Sequence, residues 1–190
     1  MKRIYYSQKH QKIFKIEERF NNNLTFDEIE LEAQGFCDVP SFIQKPSKNK
    51  DKPVQQIHLI RQQLWTIFSR FIRLRDALYT TGNMKTVICC TCRKQYPSFG
   101  RGCVHAGHFL SGRRNSILFD EKCVHAQCAF CNIQLKGNYQ EYEKFMLLKY
   151  GVQVVNDLKA KQFSKKRYTI QELKDLIQQY EALIITMRGK

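Results

Sequence analysis

The chain has 190 residues, 43% of them hydrophobic and 26% charged, which allows one packed domain plus an accessory segment and excludes wholesale disorder. With 32 Lys and Arg against 17 Asp and Glu the net charge is +15, a field that favours polyanions and points to nucleic acid ahead of an acidic protein partner. No apolar run reaches the roughly 20 residues that cross a bilayer, and the N-terminus lacks a secretory apolar stretch; the expected compartment is therefore a reducing cytoplasm, where the eight cysteines read as metal ligands or buried thiols.

Residues 1–54 read as an accessory segment. Thr25-Phe26-Asp27-Glu28 has the form of a capping box, with Leu24 and Ile29 placed as a hydrophobic staple, so a short helix is expected over residues 26–34, stopped by Gly35. Residues 40–53, with Pro40, Pro46, Pro53 and four lysines, read as a basic linker. Residues 55–190 form the main domain. It opens with a long helix over residues 55–79, where Ile57, Ile60, Leu64, Ile67, Phe68, Phe71, Leu74 and Leu78 recur at helical spacing and Gly82-Asn83 ends the run. The opposite face carries Arg61, Arg70, Arg73 and Arg75, either solvated or lining a DNA channel.

Residues 84–138 hold most of the cysteines and glycines, a composition for short strands and tight turns; strands are expected over 104–109 and 117–119. Helical spacing returns from Tyr139, breaks at Gly151 and resumes over 152–161. A second capping box, Thr169-Ile170-Gln171-Glu172, opens a last helix through Leu173, Leu176, Ile177, Tyr180, Leu183 and Ile184.

Two CxxC pairs, Cys89/Cys92 and Cys128/Cys131, carry the strongest chemical signal. A two-residue gap lets a tight turn aim both thiolates at one point, and two such pairs close a four-sulfur shell around structural zinc. Cys90 is an alternative to Cys89 with poorer spacing; Cys37, Cys103 and Cys123 read as small buried hydrophobes. The zinc clamps the ends of the segment between the pairs, and that segment holds groups suited to phosphodiester cleavage. His108 is a neutral imidazole able to take a proton from water near pH 7. Asn132 offers an oxygen to a hard cation such as magnesium. Arg113 and Arg114 can grip non-bridging phosphate oxygens. His125 is expected to brace the turn before Cys128. Together these outline a ββα-metal finger, two strands and then a helix beginning near the second cysteine pair.

The ordered pattern CxxC, Ala106-Gly107-His108-Phe109, Phe119-Asp120-Glu121, His125-Ala126-Gln127, CxxC with Asn132, and Gly137-Asn138 resembles the NinG (Rap) recombination proteins of phage lambda type. Those proteins resemble HNH, or His-Me finger, nucleases. The likeness covers roughly residues 60–186. It implies an α+β fold, a zinc-stapled ββα-metal (HNH-like) finger flanked by long helices, with His108 as general base, Asn132 on a catalytic magnesium and the four cysteines on zinc. It also implies cleavage of branched DNA, Holliday junctions or D-loops, in a bacterial host cytoplasm; cutting two strands of a junction favours a homodimer. Two positions depart from the HNH pattern: Gly107 stands where an acidic metal ligand precedes the base, and Cys123 where a central asparagine braces the loop. His105, on the same strand as His108, is one candidate for the missing ligand. The rival reading is a zinc-containing DNA-binding protein of recombination without catalysis.

Overall fold

In the computed structural model, which describes residues 2–7, 12–17, 53–110 and 115–188, the chain divides into two units, Met1–Asn49 and Lys50–Lys190. In the first, strands β1 (Lys2–Ser7) and β2 (Lys12–Glu17) pair antiparallel, Lys2 opposite Glu17 and Ser7 opposite Lys12. The helix expected over 26–34 lies outside the described residues, as does nearly all of the basic linker.

The second unit is built on helix α1 (Pro53–Thr81). Its opening proline has no N–H to leave unpaired in the first turn. Gly82, at φ +69°, ends it by donating its amide to the Leu78 carbonyl at 3.1 Å. Leu64, Phe68 and Ile72 of α1 are fully buried. Helix α4 (Ile170–Arg188) lies against them, the Tyr180 ring 5.0 Å from both Phe68 and Phe71. The sequence-predicted capping box forms at its start: Thr169 Oγ1 accepts the Glu172 amide at 3.1 Å and Glu172 Oε2 accepts the Thr169 amide at 2.7 Å.

The arginine face of α1 is not a solvated stripe along its length. Arg73 is buried, donating to the Ser69 carbonyl and lying over the Phe99 ring at 4.6 Å. Arg75 reaches the Glu121 and Val124 carbonyls at 2.7 and 2.9 Å. Around Arg73 and Arg75 this face of α1 packs on the segments that carry the small sheets.

Those sheets are two antiparallel hairpins. Strands β3 (Thr86–Ile88) and β4 (Gln95–Pro97) flank the first cysteine pair, and β5 (His105–His108) pairs with β6 (Val124–Gln127), which leads into the second. The strand expected over 117–119 is not one. Helix α2 (Asn115–Leu118) is a single turn, followed by two tight turns closed by the Asp120 amide on the Ile117 carbonyl and the Cys123 amide on the Asp120 carbonyl. A short apolar run has no periodicity to separate strand from buried helix, and here the chain must reverse to bring β6 back along β5.

After Cys128 the backbone makes one π-helical turn, Phe130–Gln134, and helix α3 (Tyr139–Lys161) starts later than the finger pattern suggests. Lys136, Gly137 and Asn138 all have positive φ, which interrupts the helical path between the two. Gly151, at φ +80° and ψ 167°, kinks α3 at the predicted break. Tyr142, Met146, Val155 and Leu158 of α3 complete the core. Among the described residues no helix is long and apolar enough to cross a membrane.

Candidate functional site

Each cysteine pair occupies the tight turn after a strand. Beyond β3 the Arg93 amide donates to the Cys89 carbonyl at 3.1 Å, with Arg93 at φ +61°; beyond β6 the Asn132 amide donates to the Cys128 carbonyl at 2.9 Å. The turns bring the Cys89, Cys92, Cys128 and Cys131 sulfurs within 4.8 Å of one another. Cys92 and Cys128 Sγ are 3.8 Å apart, and a tetrahedron of metal–sulfur bonds of about 2.3 Å has an edge of about 3.8 Å. Backbone amides point at the sulfurs, Cys128 N–H to Cys89 Sγ at 3.3 Å and Cys131 N–H to Cys128 Sγ at 3.5 Å.

Burial raises the Cys89 pKa, but the Thr91 hydroxyl and the Cys128 amide outweigh it and lower the thiol to about 7. Burial pushes Cys128 up to about 12, and Cys92 rises as well. Metal binding requires deprotonated thiolates, and a divalent cation favours that form. Four soft donors at this spacing suit a metal such as zinc. Cys90 is not part of the set: it is buried in the core, and burial carries its pKa well up.

Between the pairs, register sorts the side chains of β5 and β6 onto two faces. His105 stands opposite Gln127 and Gly107 opposite His125, while His108 stands opposite Val124 on the other face. His108 is half-buried, stacked on Trp65 with ring centroids 5.0 Å apart and planes 15° apart, and its Nε2 lies 3.1 Å from the Leu118 carbonyl. Asn132 belongs to the His105 face, its Nδ2 3.3 Å from His105 Nδ1. The structure thus brings Asn132 to His105, and sets His108 against α1 across the strand. Cys123 is fully buried beside this loop; burial pushes its pKa up to about 11 against backbone hydrogen bonds from Leu110 and Phe109, and its carbonyl accepts the Phe109 amide at 2.7 Å. Backbone bracing of the segment after His108 therefore exists around Cys123. Arg113 and Arg114 lie outside the described residues.

His125 is fully buried in a polar cluster. Its Nδ1 is 3.2 Å from Asp76 Oδ2 and 2.9 Å from Arg75 Nη2, and its Nε2 is 3.2 Å from the Tyr150 hydroxyl. Asp76 also accepts the Ala126 amide at 2.7 Å. Burial lowers the His125 pKa against the opposing pull of Asp76, and contacts at both ring nitrogens give His125 a bracing role on β6. Sequence reasoning placed Gln127 only within a motif and Arg75 only on a helix face, and it gave no role to Trp65 or to the Arg75–Asp76 pair. Trp65 and the pair sit within an ordinary amphipathic repeat, and only the docking of α1 on the hairpin assigns them.

The family model described as Bacteriophage Lambda NinG protein matches residues 42–189. Protein ninG of Salmonella phage P22 is 26% identical over 84 residues, 44% of this chain and 41% of that protein. Protein ninG of Escherichia phage lambda is 26% identical over 85 residues, 44% and 41% of the two chains. Protein ninG of Enterobacteria phage H19B is 30% identical over 70 residues, 36% and 34%. The matched segments span about two fifths or less of the length of these relatives. No solved structure matches the chain.

Proposed function

The chain belongs to the phage lambda NinG family, and on that premise we propose that it is a magnesium-dependent endodeoxyribonuclease acting on branched recombination intermediates, with zinc held by Cys89, Cys92, Cys128 and Cys131. The order β5, β6, second cysteine pair and α3 supports an HNH-like ββα-metal finger. The basic charge of the chain supports DNA as its partner.

The observation that carries the reading is the setting of His108. A carbonyl oxygen only accepts, so Nε2 carries the hydrogen in its 3.1 Å contact with Leu118 and Nδ1 is the basic nitrogen. Trp65 holds the ring plane. His108 Nδ1 takes the proton of the attacking water; Arg113 and Arg114 hold the non-bridging oxygens of the phosphate; Asn132 Oδ1 would hold the magnesium. Magnesium, when bound, stabilises negative charge on the phosphorane and on the leaving oxygen.

The rival without catalysis gives the test its second arm. Labelled branched DNA is incubated with wild type and with His108→Ala, each checked for retained zinc, and binding is measured beside cutting. Loss of about 10²- to 10⁴-fold in cleavage rate with binding intact establishes the general base. Tight binding by both proteins with no cutting under magnesium or manganese leaves the binding module standing.

A further inference from the structure

Gly107 leaves a gap, and two carboxamide oxygens point into it. A Cβ on Gly107 would stand 2.5 Å from Gln127 Oε1 and 3.2 Å from Asn132 Oδ1. Gln127 is fully buried. Its Nε2 donates to the Gly137 carbonyl at 2.7 Å and to Thr91 Oγ1 at 3.3 Å, which fixes the amide with its oxygen toward Gly107. Among the described residues that oxygen has no hydrogen-bond partner, and a buried acceptor is rarely left so unless a water or an ion meets it. Asn132 is fixed in the same sense. Its Nδ2 donates to His105 Nδ1 at 3.3 Å, turning Oδ1 into the gap.

We propose that this gap is a divalent-cation pocket in which Gln127 Oε1 and Asn132 Oδ1 are the protein ligands, with His105 as the positioning residue that orients Asn132. The proposal deepens the nuclease reading and rests on it for the use to which the cation is put. Two neutral amide oxygens carry no charge, so the cation keeps several waters and binds weakly until phosphate oxygens join it, the habit of magnesium in nucleotide-handling sites. Divalent manganese follows the same ligands and is visible by magnetic resonance where zinc is silent. Half-exposed His105 and Asn132 form the mouth, and buried Gln127 forms the floor.

The test uses the zinc-loaded full chain and manganese alone as probe. Free manganese is followed by electron paramagnetic resonance, and the side-chain amide signals of Gln127 and Asn132 by NMR. Expected are one saturable manganese, displaced by magnesium, and selective broadening of the Gln127 and Asn132 amides at substoichiometric metal. Gly107→Ala should weaken binding at least tenfold, because its methyl collides with Gln127 Oε1. His105→Ala should weaken it severalfold with unchanged zinc content and circular dichroism. His108→Ala should bind manganese as wild type does while failing to cut DNA. Manganese that broadens neither amide, or an affinity untouched by Gly107→Ala, overturns the pocket, and it does so even if the protein cleaves DNA. Binding as described in a wild type that cuts nothing upholds the pocket and sinks the nuclease.

Discussion

At Asp76 the Arg75 guanidinium, the Ala126 amide and the His125 ring converge on one buried carboxylate. Burial alone would raise its pKa, yet the His125 hydrogen bond and the Arg75 charge hold it down to about 2 from 3.8. A carboxyl with a depressed folded-state pKa contributes stability above its unfolded value, and that contribution is lost as pH falls from about 4 through about 2. A shift of this size is worth on the order of 2 kcal/mol. His125 acts in the same direction: its lowered pKa means the unfolded chain binds more protons below about 6.5, so stability rises with pH there too. Asp76→Asn should therefore lower the urea-unfolding free energy at pH 7 by about 2–4 kcal/mol, since it leaves the half-buried Arg75 guanidinium without its counter-charge. The gap between variant and wild type should close as pH falls from 4 toward 2. An equal gap at pH 7 and pH 2.5 would contradict the assignment.

The elements divide by how locally their cause is written. The long helix over residues 55–79, the Gly151 kink and the Thr169 box are readable because each rests on spacing within a few residues. Thr169→Ala removes an N-terminal cap and should lower the thermal midpoint by about 2–4 °C, followed by circular dichroism. The cysteine turns were legible for the same reason. The short helix Asn115–Leu118 was not, because its form follows from the return path between β5 and β6. Nor was the burial of Arg73 or the docking of half-buried Arg75 on the Glu121 carbonyl, which depends on segments far along the chain. Gln127 was legible as part of a motif, while the place of its side-chain oxygen beside Gly107 appears only once β5 and β6 are paired. The cysteine cluster carries a prediction for the segment it closes. A chelator strong enough for zinc should expose the segment between Cys89 and Cys131 to protease while α1 and α4 keep their far-ultraviolet signal. Cys131→Ser should fail to retain one zinc equivalent. A segment equally protected with and without chelator would show that hydrophobic packing alone holds it.

Across the molecule, 32 basic against 17 acidic side chains give a field that attracts polyanions, and in the proposed function that polyanion is DNA. Affinity for duplex and branched DNA, read by fluorescence anisotropy, should fall at least tenfold between 50 and 200 mM salt. The double variant Arg113→Ala/Arg114→Ala should flatten that dependence by about one to two units of slope. Charge alone does not choose one DNA shape over another. The account's most direct test is cleavage of a labelled synthetic four-way junction beside its matched linear duplex by the zinc-loaded protein. Magnesium-dependent incision of the junction, slower on the duplex and abolished by chelation, is the predicted result. Junction and duplex both bound tightly and both left intact in magnesium would contradict it.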